Sequence, residues 1–425
     1  MDGNIFYTEG RRDIPVVGKY DAIVAGAGPS GIAAAVSAAR RGVKVLLIEY
    51  AGSVGGISTT GLMSHWTGSA NSKLYHEILS KSSDGGEITH TIDPEKLKMI
   101  YFDMLNEAKI DVLLYTLVCG AIVENGELKG VITESKSGRR AFLSSAVIDA
   151  TGDGDVAAKA GAEYILGREE DGAMQPATLM FKVGGVDTAN AVFLGSFEST
   201  HETPKGELQA LAKQHLPYPA GHVLLYRSTL PGIVTCNMTN AIGIDGTKAE
   251  DLTRGEIICR SQMQPIVKFL REFVPGFEDC YIISAASLLG IRETRHFKGV
   301  ATLTEHDIMG AKIFPDWVVR DAHFNFDVHN ITGAGLDKTG VQKHFSQNKG
   351  YTIPYGCLVP EKLDGLLLSG RNISGTHMAH SNFRVMPICV GIGEAGGTAV
   401  SIAIKKNIKL RNVNADDIQK VLLEV

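Results

Sequence analysis

Between Gly26 and Gly31 the chain reads GAGPSG, and the residues on either side decide what that turn can be. YDAIVA precedes it as a short run of β-compatible residues, IAAAVSAARRG follows as an alanine-rich helical stretch closed by Gly42, and KVLLIE is a second apolar run ending in Glu49. The spacing predicts strand, glycine turn, helix and strand, the context in which a G-x-G-x-x-G pattern binds a dinucleotide. Gly26 permits the tight turn, Gly28 leaves a pyrophosphate room at the backbone, and Gly31 lets helix and strand pack closely. Pro29 and Ser30 then open the helix, whose first-turn amides and dipole face the phosphates. Glu49, followed by Tyr50, is placed to accept from a ribose. As an acid it repels a 2′-phosphate, so FAD or NAD is expected rather than NADP. Glycines that only shape a tight turn in an α/β core are the competing reading, and the flanks and the acid argue against it.

Just past Glu49 lies AGSVGGISTTG, where Gly55 and Gly56 leave backbone room beside another part of an extended cofactor and Ser58 and Thr59 offer hydroxyls. NAD dehydrogenases have no need of such a second glycine pair, so FAD is favoured. VLLYTLVCGAIVENGELKGVITES then reads as two strands joined at Asn125-Gly126, followed by a buried strand ending in AVIDATGDGD. Ala150, Thr151 and Gly152 are expected to border the cofactor.

The stretches GAGPSGIAAA, LLIEYAGSVGGISTTG, VIDATGDGD, LLGIRETRHFKG, IPYGCLVP and LLLSGRNISGTHMAHSNFRVMPICVGIGEAGGTAV together resemble the FAD-dependent oxidoreductases with a glutathione-reductase-type FAD domain. The resemblance runs in family order over nearly the whole chain. It implies an α/β fold: a Rossmann-like FAD-binding domain in two parts, 1–166 and 350–425, with an inserted α+β substrate or cap domain at 167–349. It also implies a backbone contact from Val118 to the adenine and a place at the cofactor for Gly370 and Arg371.

A second glycine pattern, GIGEAG from Gly391 to Gly396, follows RVMPICV, but no strand ending in an acid comes after it. The unit that makes such a motif bind its own nucleotide is missing. By resemblance its helix instead aims its N-terminus at the pyrimidine end of the flavin, with Gly391, Gly393 and Ala395 allowing close approach. No separate nicotinamide domain is expected.

Candidates for chemistry lie between these signals. TLMFKVGGVD reads as a strand pair, THETPKGELQALAKQHLP as a loop and short helix, and AEDLTRGEIICRSQMQPIVKFLREFVP as a helix. Arg292 and Arg295 in GIRETRH, and Arg384 in SNFRVMP, suit a carboxylate or polyol clamp. His329, His377 and His380 are possible bases, His65 follows the second glycine pair, and Tyr351 and Tyr355 could line a pocket. His377-x-x-His380 lacks a third ligand at metal spacing, so no metal is expected.

The six cysteines form no C-x-x-C, which removes the usual spacings of dithiol, iron–sulfur and zinc centres. A net charge of −5 gives no reason to expect nucleic acid. The apolar stretch 22–39 is broken by glycines and Pro29, Glu9, Arg11, Arg12 and Asp13 interrupt any leader, so a cytoplasmic protein with no membrane span is expected. The expected activity is hydride transfer between FAD and a small polar organic substrate, oriented by Arg292 and Arg384 while a histidine moves the proton. A structural or non-redox flavin and a nucleotide-binding regulatory module are the alternatives. The partners implied are that substrate and an electron acceptor of unspecified class, with no oligomeric state implied.

Overall fold

The computed structural model describes residues 9–83, 90–195, 199–336 and 345–424. Strand β1 (Val16–Ala25) runs into the first glycine turn, helix α1 (Pro29–Ala39) follows, and β2 (Val45–Ile48) lies parallel to β1 with Ala25 beside Ile48. The last four residues of β1 and all of β2 are buried, as strands covered on both faces must be. Helices α2 (Lys73–Ser82) and α3 (Pro94–Glu107) start on Ser72 and Asp93, whose side chains accept first-turn amides. Strand β3 (Asp111–Leu113) then pairs with β2.

Strands β4 (Leu117–Glu124) and β5 (Glu127–Glu134) form the expected hairpin, with Asn125 and Gly126 both at positive φ. Strand β6 (Arg140–Asp149) returns to β1, with Asp149 beside Ala25, and is followed by α4 (Asp155–Lys159). Its other edge is shared: β5 pairs with its first half and β17 (Leu366–Leu368) with its second, Leu368 lying beside Asp149. The sheet order is β3–β2–β1–β6–β5–β4 with β17 on β6, so strands from both ends of the chain finish side by side.

A second sheet, β11 (Leu225–Arg227), β12 (Val234–Cys236), β8 (Phe181–Gly184) and β13 (Tyr281–Ala285), is antiparallel throughout. TLMFKVGGVD is therefore one strand and not a pair. Gly185 at positive φ ends it, and its partners come from residues far along the chain. A short β9 (Glu202–Thr203) and β10 (Gly206–Glu207) hairpin replaces the loop expected before α5 (Leu208–His215). Helix α6 (Ala249–Phe273) keeps Pro265 within it and turns Cys259, Met263, Ile266 and Leu270 into the core beneath this sheet.

The remaining pairs are β7 (Tyr164–Leu166) with β14 (Arg295–Phe297), and β15 (Trp317–Ala322) with β16 (Tyr351–Pro354). Helices α7 (Glu305–Met309), α8 (His377–Phe383), α9 (Met386–Lys406) and α10 (Ala415–Leu423) complete the chain. Phe297, Leu303, Val318 and Phe326 join the core of the larger sheet, although they fall in the stretch expected to be cap.

Helix α9, not residues 22–39, is the described segment long and apolar enough to cross a membrane, and 94% of its apolar window is buried inside the protein. Of its GIGEAG glycines, Gly393 serves contact with α1, as does Gly397 just beyond the motif, while Gly391 faces Val319. A Cβ on Gly393 would lie 2.0 Å from the Ser30 carbonyl oxygen, and one on Gly397 would lie 2.2 Å from that of Ala34. Only glycine lets the two backbones approach so closely.

Candidate active site

The carboxyl ends of β1, β2, β6 and β17 meet at the switch in strand order between β1 and β6, where open parallel sheets bind ligands. Four turns leave those ends: Gly26–Ser30, Glu49–Ala51, Ala150–Asp153 and Ser369–Arg371. All four line one cavity of about 1350 Å³. A single small-ligand pocket holds about 300–1,000 Å³. This one has room for more than one bound molecule.

Its strand end fits a dinucleotide. Gly28 is the N-cap of α1, no side chain caps that helix, and its first turn carries no acid, so its amides are left for an anionic ligand. A Cβ on Gly28 would meet nothing within 4 Å, because the position faces the cavity. Gly26 (φ +94°) and Gly31 are packed instead: added Cβ atoms would stand 2.4 Å from the Ala150 oxygen and 1.9 Å from the Gly26 oxygen. Ser30 Oγ and Ser369 Oγ lie 2.7 Å apart and tie α1 to the end of β17. The Glu49 carboxylate accepts the Ala27 amide at 2.7 Å and the Ala51 amide at 2.8 Å, so it fixes the turn while still lining the cavity. Burial pushes its carboxyl above the usual range, against those amides. Arg371 pairs with Asp153 at 2.7 Å beside Gly152.

At the other end the cavity carries a buried charge cluster. Arg384, the C-cap of α8, donates to Asp327 Oδ2 at 2.9 Å and to the Asp327 carbonyl at 2.8 Å. His329 Nε2 lies 3.4 Å from the other Asp327 oxygen. Arg292 donates to the Pro176 carbonyl at 2.5 Å and to Thr178 Oγ1 at 2.8 Å. Burial alone would raise the Asp327 carboxyl, but His329, Arg384 and Arg292 hold it well below the usual range. Burial, with Arg292 beside it, pushes the His329 imidazole down to about 4, so it is neutral at physiological pH. Burial brings the Arg292 guanidinium down to about 10, with Arg384 adding repulsion, and it stays charged. Two guanidiniums against one carboxylate leave an excess of one positive charge facing the cavity here.

Among the expected site residues, Gly26, Gly28, Pro29, Ser30, Glu49, Tyr50, Gly56, Val118, Ala150, Thr151, Gly152, Gly370, Arg371, Arg292, Arg384, His329 and His65 line the cavity. Gly31 serves the helix-to-turn packing described above. Gly55, at φ +100°, shapes its loop, and the Ser58 and Thr59 hydroxyls are turned back onto the Gly55 and Val54 carbonyls. Gly391, Gly393 and Ala395 are buried inside α9, and it is Val385, Met386 and Cys389 at that helix's start that reach the cavity. His377 points away from it, onto Glu293 at 2.5 Å, and Arg295 pairs with Asp155 at 2.9 Å. Tyr351 and Tyr355 are core residues bonded to Asn382 and to the Leu410 carbonyl.

Sequence reasoning missed Asp327, Tyr226 and Gln175. Tyr226 stacks on His65 with ring centroids 4.9 Å apart. Gln175 joins the parts of the site: its Oε1 accepts from the His329 amide at 3.1 Å and from Arg384 at 3.5 Å. No local pattern marks Tyr226 or Gln175. Asp327, two residues before His329 in DVH, carried the one signal that could have been read.

A family model described as FAD dependent oxidoreductase matches residues 21–422. The digeranylgeranylglycerophospholipid reductase 1 of Methanococcoides burtonii is 27% identical over 154 residues, covering 32% of this chain and 38% of that enzyme, so the match spans well under half of the relative's length. A geranylgeranyl bacteriochlorophyll reductase-like protein from Thermoplasma acidophilum superposes with a TM-score of 0.50 at 15% identity, covering 95% of this chain and 82% of the other. That likeness concerns the fold.

Proposed function

The chain belongs to the FAD-dependent oxidoreductase family, and we propose that it exchanges hydride with a small organic anion held by Arg292 and Arg384. Bound FAD supplies a two-electron acceptor or donor. The protein's own part is to hold the cofactor at the four strand ends, to orient the substrate and to manage one proton. The observation that carries this reading is the excess positive charge of Arg292 and Arg384 over Asp327 in a cavity wall. An anion entering there gains charge-assisted hydrogen bonds in surroundings where water screens little.

Neutral His329, oriented by Asp327, takes the proton from a substrate hydroxyl as that substrate is oxidised and returns it in the reverse direction. The wall that continues through Phe193, Leu194, Leu224, Leu225, Leu252 and Leu289 is apolar, which suits an organic body attached to the anionic group. A second reading takes that body to be a long isoprenoid chain. It draws on the same apolar wall and on the likeness to a digeranylgeranylglycerophospholipid reductase.

Anaerobic mixing of the yellow protein with short hydroxycarboxylates tests the first reading. Bleaching of the flavin by such an anion, needing about 10- to 100-fold more anion in Arg292→Met, is expected. Bleaching at the same anion concentration in this variant as in the wild type, or product formed with no bleaching, would overturn it. Oxidation of the dithionite-reduced protein by a prenylated phospholipid and by no short anion would favour the second.

A further inference from the structure

Behind the arginine wall lies a group of side chains that hydride transfer leaves unused. Glu293 is fully buried. Its Oε1 accepts from His296 Nε2 at 2.8 Å and from His377 Nδ1 at 2.5 Å, and its Oε2 accepts the Gln175 amide at 3.1 Å. His380, on the same helix as His377, meets the His296 ring edge-on with centroids 4.9 Å apart. One donor atom from each of Glu293, His296 and His380 lies within 4.8 Å of the other two, and all three residues are buried.

Hydrogen bonding does not complete this cluster. Nδ1 of His296 and Nδ1 of His380 are both buried, and neither has a hydrogen-bond partner among the described residues. An unmet buried polar atom costs about 1–3 kcal/mol. Two of them on neighbouring rings beside a buried carboxylate leave imidazole nitrogens that no described protein group uses.

We propose that Glu293, His296 and His380 bind a divalent transition-metal ion, with zinc as the occupant. Two imidazoles and a carboxylate form a borderline donor set that suits zinc and is poor for calcium or magnesium, which prefer all-oxygen shells. With bonds of about 2.0–2.2 Å, tetrahedral ligands stand roughly 3.4 Å apart, so the donors would draw in by at most about 1.4 Å, while His296 Nε2, now 2.8 Å from the carboxylate, would open away from it. His377, already on the carboxylate, is a fourth group within reach of it.

The third ligand that His377-x-x-His380 lacks in sequence thus comes from GIRETRHF. The bound ion would brace α8 against the segment that opens β14. Arg384 caps the first of these elements and Arg292 precedes Glu293 in the second, so both arginines would be fixed from the side away from the cavity. The ion is structural, and its site does not depend on the substrate reading above.

The test uses the flavin-loaded protein, stripped with a chelator, dialysed against zinc and then against buffer, with bound metal counted by mass spectrometry. The proposal expects about one zinc per chain in the wild type and at least a tenfold loss in His296→Asn and His380→Asn. It also expects zinc to raise the thermal midpoint of the stripped wild type and to leave that of His380→Asn unmoved, since an ion that binds only the folded state stabilises it. Should both variants fail to fold, the wild type decides alone. No retained zinc and no shift in its midpoint, or equal zinc in the wild type and a folded variant, overturns the proposal.

Discussion

Gly28 and Gly31 stand three residues apart in one motif, and an added methyl would do opposite things at the two. At Gly28 it would point into open cavity from a backbone at φ −71°, which any residue adopts. Gly28→Ala is therefore expected to lose at least tenfold in FAD affinity, read by flavin retained after gel filtration, while its flavin-free form keeps the thermal midpoint of the flavin-free wild type. Gly31→Ala forces its methyl against the Gly26 carbonyl and is expected to cost about 1–3 kcal/mol of stability, read by denaturant midpoint. At the far end, Arg292→Met removes a charged donor worth about 1.5–3 kcal/mol. It should lower kcat/KM by about 10- to 100-fold, mostly through KM, with flavin content intact.

The His329 imidazole offers a pH test with a definite sign. Its folded value of about 4 lies below the ordinary 6.5, so it remains a competent base until the pH falls well into the acid range. The acid limb of kcat/KM should have its midpoint near pH 4, and a midpoint near 6.5 would contradict the role. Stability follows the same direction. The unfolded imidazole takes up its proton near 6.5 and the folded one only near 4, so this residue's contribution weakens as pH falls across that window.

Among the elements, α1 and α9 depend on each other. Gly393 meets the Ser30 carbonyl, Gly397 meets that of Ala34, and Ser37 Oγ donates to the Glu394 carbonyl at 2.8 Å. Ser30 is also part of the cofactor turn, so this packing sets the position of the phosphate end. Gly393→Ala should lower both flavin retention and the denaturant midpoint of the flavin-free protein, in contrast to Gly28→Ala, which should lower flavin retention and leave the flavin-free midpoint unmoved. The β1–turn–α1–β2 unit was legible because its residues are neighbours in sequence and each type has a local reason. GIGEAG was half legible: that it binds no second nucleotide follows from the missing strand, but its glycines look the same whether they face a cofactor or a helix. Gln175 and the Glu293 group were not legible, because only the fold brings 175, 293, 327 and 384 into contact, and of Asp327 only its place beside His329 in DVH could have been read.

For the whole molecule, one cavity is walled by the ends of a parallel sheet on one side and by the antiparallel sheet with Arg292, Asp327 and His329 on the other. The sheet ends are contributed from residues 25 to 149 and again from 366 to 368, so cofactor binding ties the two ends of the chain together. Loss of flavin should therefore lower the thermal midpoint of the whole protein, by an amount that grows with free FAD concentration in the loaded form.

The measurement that bears most directly on this account is the FAD released by acid from purified wild type and from Gly28→Ala. About one FAD per chain from the wild type, and a small fraction of that from an equally well-folded variant, is the expected result. A wild type that carries no FAD and takes up none when it is added, or a variant that keeps its full complement, would contradict it.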